Sequence, residues 1–233
     1  MKNSNKILLT TICAILIIVT GLIVSSRIMI KNIPDRPTKY SDEDFISKTL
    51  DLANFDVIET SGIWEIEVHQ GEKYSVTLYY PEPEADEINV YTWNNQIQLE
   101  NDMRWQRHHS IYRATITMPR LSGLRTEEGA SITISDFNCD ELDIKISGAA
   151  EIDSRNSSIE NLNLRCDGAA DANFKDSKVV NAKVNINGAS RITLTMAGGE
   201  LSGSAHGASS IVYYGDVSTQ DIATAGAVSV RHR

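Results

Sequence analysis

Three carboxylates, Glu151, Asp153 and Asp171, come nearest to a chemical site in this 233-residue chain. Glu151 and Asp171 each stand three residues after a glycine, Gly148 or Gly168, and Arg191 holds the same place after Gly188. Asp153, Asn173 and Thr193 stand five residues after the same glycines. If these segments stack as parallel strands, each set becomes a column with about 4.8 Å between neighbours. Stacked carboxylates offer several oxygens to a hard divalent cation, so the column predicts a weak Ca²⁺ site on Glu151, Asp153 and Asp171. The plainer expectation is a solvated face on which Arg191 offsets Asp171, each such pair contributing under ~1 kcal/mol.

The other chemistry-bearing residues are scattered. His108 and His109 sit beside Arg107 with no Cys or carboxylate at metal-ligand spacing, and 103–112 (MRWQRHHSIY) reads as a polar loop of unassigned role. His69, His206 and His232 are isolated, and the serines fall in turns without the order of a nucleophile elbow. No catalytic residue and no other cofactor is assigned. The aromatic residues point to recognition instead. Tyr91 and Trp93 share one face of their strand, and Trp105, Tyr112, Tyr213 and Tyr214 join the candidates for exposure, with Trp64 and one of each neighbouring pair expected in the core. Exposed rings hold sugars or protein surfaces.

The elements that must position these groups are marked by Gly-Ala pairs. They begin at Gly129, Gly148, Gly168, Gly188, Gly207 and Gly226, with successive steps of 19, 20, 20, 19 and 19. A regular step of this size signals a repeat architecture whose units bury their apolar faces against one another. Before each pair, apolar and polar residues alternate: Leu142, Ile144, Ile146; Leu162, Leu164, Cys166; Ala182, Val184, Ile186; Leu201, Gly203, Ala205. That period of two is a strand with one buried face. A second short strand follows each pair, and turn-rich stretches such as SRNSSIEN and KDSKVVNA read as return loops. The six glycines are structural corner residues, and no helix follows them to make a phosphate loop. The expected fold is all-β, a single-stranded right-handed parallel β-helix (solenoid), since a variable period departs from the multiples of six of the left-handed hexapeptide form.

The repeats occupy 121–233, and 50–120 form an irregular N-terminal cap of β coils and hairpins, including strands flanking Asn94-Asn95. Residues 31–49, with Pro34 and Pro37, read as a linker. Residues 1–30 contain Ile7–Val24, 18 residues without a charge behind Lys2 and Lys6. This length spans a bilayer as one transmembrane helix, and the flanking lysines place the body outside the cytoplasm, anchored in the cytoplasmic membrane. Cleavage as a signal is the alternative and would leave the body secreted or periplasmic.

A net charge of −9 with no basic cluster argues against nucleic acid. Cys13 lies in the apolar segment, and Cys139 and Cys166 are 27 apart, out of step with the repeat, so no disulfide is expected and Cys166 reads as core. The chain stops at Arg233 partway through a coil, which suggests self-association through the C-terminal coil.

The run FDVIETSGIWEIEVHQGEKYSVTL, followed by ISGAAEID, CDGAADANF, INGASRITL and AHGASSIVYYG, resembles the bacterial family described as putative auto-transporter adhesin, head GIN domain, over about 50–233. The resemblance implies a secreted or anchored envelope protein with a β-helical body, and it brings no catalytic residues. The expected function is therefore a non-catalytic extracytoplasmic protein displaying a β-solenoid for adhesion, scaffolding or sensing, with an envelope protein or glycan as partner. The rival expectation is a polysaccharide lyase or glycoside hydrolase on the same scaffold. Glu151 and Asp171 could give the roughly 6.5–9.5 Å separation of an inverting pair, but small coils offer no cleft around them.

Overall fold

Alternating β-branched and polar residues run through nearly the whole body, and strands follow them. A computed structural model describes residues 44–101 and 111–233, which fold as strands with a 3₁₀ turn at Glu82–Glu87. The strands are β1 (Phe45–Leu50), β2 (Val57–Ser61), β3 (Ile63–Gln70), β4 (Ser75–Pro81), β5 (Ile88–Trp93), β6 (Gln96–Asn101), β7 (Tyr112–Met118), β8 (Gly123–Ser135), β9 (Asn138–Gly188), β10 (Arg191–Ala197), β11 (Glu200–Gly207), β12 (Ser210–Asp216), β13 (Thr219–Gly226) and β14 (Ser229–His232). Ile7–Val24, most of the 31–49 linker and nearly all of 103–112 lie outside the described residues. Among the described residues no helix is long and apolar enough to cross a membrane.

Two rows of paired strands share β8 and β9. One runs β1-β4-β7-β3-β8-β9-β10-β12-β14, and the other runs β5-β6-β2-β8-β9-β11-β13. From β3 and β2 onward every pairing is parallel, and β8 meets β9 with an offset of 20 residues (Ile132↔Ile152, Ile144↔Leu124). β1-β4, β4-β7 and β5-β6 are antiparallel, which makes the N-terminal region the irregular part. The expected hairpin is present, with Asn94 and Asn95 both at positive φ between β5 and β6. The sequence reading ran the linker to residue 49, but Phe45–Leu50 is a strand on β4. Its four central residues, Ile46 included, are all exposed and neither face is buried, so it carries no apolar periodicity.

The inward residues stack in columns. Leu142, Ile144 and Ile146 are fully buried, as are Leu164, Cys166, Val184 and Ala205, each placed on the buried face by the strand period. Burying each larger aliphatic side chain contributes roughly 1.5–3 kcal/mol. The return loops SRNSSIEN and KDSKVVNA are instead part of the ladder, inside one continuous run of 51 residues. Their serines made them read as loops, but Ser157 and Ser177 face inward and each accepts from a backbone N–H 20 residues earlier: Phe137 N–H donates to Ser157 Oγ at 3.1 Å and Ser157 N–H to Ser177 Oγ at 3.2 Å.

Where the two rows meet, one backbone position repeats in the left-handed region: Gly62, Glu128, Gly148, Gly168, Gly188, Gly207 and Gly226. A side chain at Gly168 or Gly188 would collide with the carbonyl oxygen of the glycine 20 residues earlier, so both the angle and the close approach require glycine. Gly129 is not in this column. Its partner is Ala149, and Glu128, at φ 67°, faces Gly148. The 19-residue step from Gly129 to Gly148 sits on a 20-residue ladder, so the pair slips by one.

Candidate functional site

Two of the three candidate carboxylates, Asp153 and Asp171, already hold cationic or amide partners. Register pairs Ser131 with Glu151 and Asp171 with Arg191. Arg191 Nη1 donates to Asp171 Oδ2 at 3.1 Å, Arg155 Nε donates to Asp153 Oδ2 at 2.6 Å, and Asn173 Nδ2 donates to Asp153 Oδ1 at 3.0 Å. Among the described residues no three His, Cys, Asp or Glu side chains come together as metal ligands. Glu151 stands exposed on the column, and Asp153 and Asp171 face cations and an amide rather than each other.

Amides run in similar ladders around the outside. Asn163 donates to Asp143 at 3.1 Å, and Asn181 donates to Asn161 at 3.1 Å, each across a 20-residue step. Such contacts tie part of the outer polar surface into the ladder.

The β5-β6 face differs. Tyr91 and Trp93 both project outward from β5, at 39% and 66% exposure, the latter the most exposed large apolar side chain among the described residues. Tyr91 lies opposite Gln98 and Trp93 opposite Gln96. Gln98 in turn pairs with Glu59 on β2, and Glu59 with Arg125 on β8. The Tyr91 hydroxyl donates to Glu100 Oε1 at 3.0 Å, and Asn89 Nδ2 donates to the other Glu100 oxygen at 3.2 Å. That hydrogen bond to a carboxylate raises the Tyr91 pKa. Gln98 Nε2 donates to Glu59 Oε2 at 3.1 Å. The Gln96 amide, oriented to suit its neighbours, donates to Glu59 Oε2 at 2.9 Å and accepts from Arg125 Nη1 at 2.5 Å. Two rings thus stand beside a fixed bed of amide, carboxylate and guanidinium groups.

The family model described as "Putative auto-transporter adhesin, head GIN domain" matches residues 54–217, which include both the aromatic face and the carboxylate column. The chain belongs to that family. Solved structures with the same fold include a putative adhesin of Bacteroides fragilis at 19% identity and a TM-score of 0.64, covering 84% of this chain and 99% of its own. A putative lipid binding protein of Parabacteroides distasonis is similar at 15% identity and a TM-score of 0.52, covering 81% of this chain and 97% of its own. A second Parabacteroides distasonis protein, a putative adhesin, matches at 13% identity and a TM-score of 0.52, over 80% and 97%. Among curated proteins none matches the chain.

The rest of the head GIN body accounts for the other sequence candidates. Trp64 is core as expected, but Tyr112, a candidate for exposure, is buried against it with ring centroids 5.7 Å apart. Burial, then hydrogen bonding to Glu84, drives the Tyr112 pKa upward, and its hydroxyl donates to Glu84 at 3.0 Å and Glu87 at 3.1 Å. Tyr213 is buried and Tyr214 partly so. Trp105, His108 and His109 lie outside the described residues. Cys139 and Cys166 are buried free thiols, their pKa values pushed up by burial to about 11 and about 12, which makes both unreactive core residues.

The polar bed of Glu59, Gln96, Gln98, Glu100 and Arg125 was missed by sequence reasoning. Its members lie on β2, β6 and β8, up to 66 residues apart, and only the parallel ladder assembles them. A faint signal existed in the period-two polar residues of QIQLE opposite NVYTW.

Proposed function

We propose that this chain is a non-catalytic envelope protein that displays a right-handed parallel β-solenoid outside the cytoplasm and holds an external partner on the β5-β6 face. Ile7–Val24 serves as its tether to the cytoplasmic membrane. The parallel steps of 19 and 20 residues support the solenoid, and the family's description supports the adhesive role. Of the outer carboxylates a lyase or hydrolase would need free, Asp153 is engaged by Arg155 and Asn173 and Asp171 by Arg191. One observation carries the binding reading: Trp93 is 66% exposed next to a second ring that Glu100 fixes in place. Two neighbouring exposed rings with a polar rim fit a contact surface better than a single scattered side chain would.

Bacteria displaying the full chain, wild type or Trp93→Ala, test this on surfaces coated with mucin, collagen or fibronectin. Retention by wild type on at least one coating, reduced about tenfold or more by Trp93→Ala at equal display, is expected. Equal retention of both variants on every coating overturns the reading.

A further inference from the structure

We infer that the partner of the β5-β6 face is an uncharged glycan chain, an inference that rests on reading this face as the binding surface. A pyranose offers two kinds of surface, a C–H face that is weakly apolar and a rim of hydroxyl groups. The C–H face is attracted to the negative face of an aromatic ring, and the rim needs donors and acceptors already held in place.

Both are present together. Tyr91 and Trp93 are two residues apart on one strand face, a rise of about 6.8 Å, comparable to the length of one hexose unit. The two rings therefore underlie neighbouring units of one chain. Tyr91 cannot swing freely, because Glu100 binds its hydroxyl at 3.0 Å. On the adjacent strands Gln96, Gln98, Glu59 and Arg125 are hydrogen-bonded to one another, presenting amide, carboxylate and guanidinium groups beside the rings. Such pre-set groups cost little ordering entropy when a ligand arrives.

Two observations favour a glycan over other partners. Among the described residues the remaining exposed large apolar side chains, Ile46, Tyr79 and Ile111, lie on β1, on β4 and just before β7, so the described patch is two rings with a polar surround. A protein hot spot is a packed, desolvated apolar centre inside an interface of about 800 Å² per partner, which two rings do not supply. Charge selects among glycans. Arg125 lies 3.6 Å from Glu59 and is neutralised by it, Glu100 adds a further carboxylate, and the whole chain carries −9. That field repels uronates, sulfates and phosphates.

The test is an array of neutral and acidic oligosaccharides probed with the full chain, followed by calorimetric titration of the strongest binder against Trp93→Ala, Trp93→Phe, Glu100→Gln and Glu100→Ala. Neutral hexose chains should bind; Trp93→Ala should weaken binding about tenfold or more, and Trp93→Phe should restore part of it. Glu100→Gln, whose amide oxygen still accepts from the Tyr91 hydroxyl, should leave binding within about twofold of wild type, whereas Glu100→Ala, which frees the ring, should weaken it by more, though less than Trp93→Ala. Binding confined to acidic glycans, or glycan binding unchanged by Trp93→Ala, overturns the inference. No glycan binding, with Trp93-dependent retention on collagen or fibronectin, overturns the glycan inference and leaves the face as the contact surface. No Trp93 dependence in either experiment overturns both.

Discussion

Glu128 is the one corner residue among the seven that is not glycine. Its left-handed backbone costs a side-chain-bearing residue about 1–2 kcal/mol, and glycine's larger freedom in the unfolded chain returns about 0.5–1 kcal/mol of that. Glu128→Gly is therefore expected to stabilise the protein by about 0.5–1 kcal/mol in urea denaturation at unchanged slope. Gly188→Ala should do the reverse and cost more than about 2 kcal/mol, because the new methyl meets the Gly168 carbonyl as well as an unfavourable φ. Equal effects of the two changes would show that the column tolerates side chains. The Gly-Ala spacing was legible by eye, yet it named Gly129 and passed over Gly62. Spacing counts residues, whereas corner membership depends on which residues the ladder sets side by side.

Strands decide what happens to the acidic residues. Parallel pairing 20 residues apart brings Arg191 onto Asp171 and Asn173 onto Asp153, and alternation within β9 brings Arg155 onto Asp153. These exposed pairs contribute little stability, but they occupy the oxygens a cation would need. The melting temperature should stay unchanged at millimolar Ca²⁺, followed by circular dichroism; a rise of about 2 °C or more would restore the Ca²⁺ reading of Glu151, Asp153 and Asp171. The aromatic hairpin was the better-read element. Asn94-Asn95 announced its turn, and the two-residue spacing of Tyr91 and Trp93 announced their shared face. Tyr112 misled because its polar tip is satisfied inside the protein by Glu84 and Glu87, carboxylates supplied by a turn 25 and more residues away.

Across the whole molecule each parallel segment contacts chiefly the one before and the one after it, so the stack should behave as a sum of nearest-neighbour interfaces. Inserting a second copy of residues 169–188 after Gly188 adds one such interface on each side of the new segment. The lengthened chain should keep its β-sheet ellipticity per residue, unfold in one cooperative transition and melt no lower than wild type. A lower melting temperature with lost sheet ellipticity per residue would mean that the segments are not interchangeable and would count against the proposed solenoid.

The sequence alone determined the all-β class, the 20-residue step, the inward columns and the family, because each follows from local alternation or from a short repeated motif. Tertiary structure decided which carboxylates remain free, where the corner column runs, and that Glu59, Gln98 and Arg125 meet beside Tyr91. The physical reason is the same in each case. Strand periodicity fixes the face a side chain takes, but its neighbours on that face come from other strands, and only hydrogen-bond register chooses them.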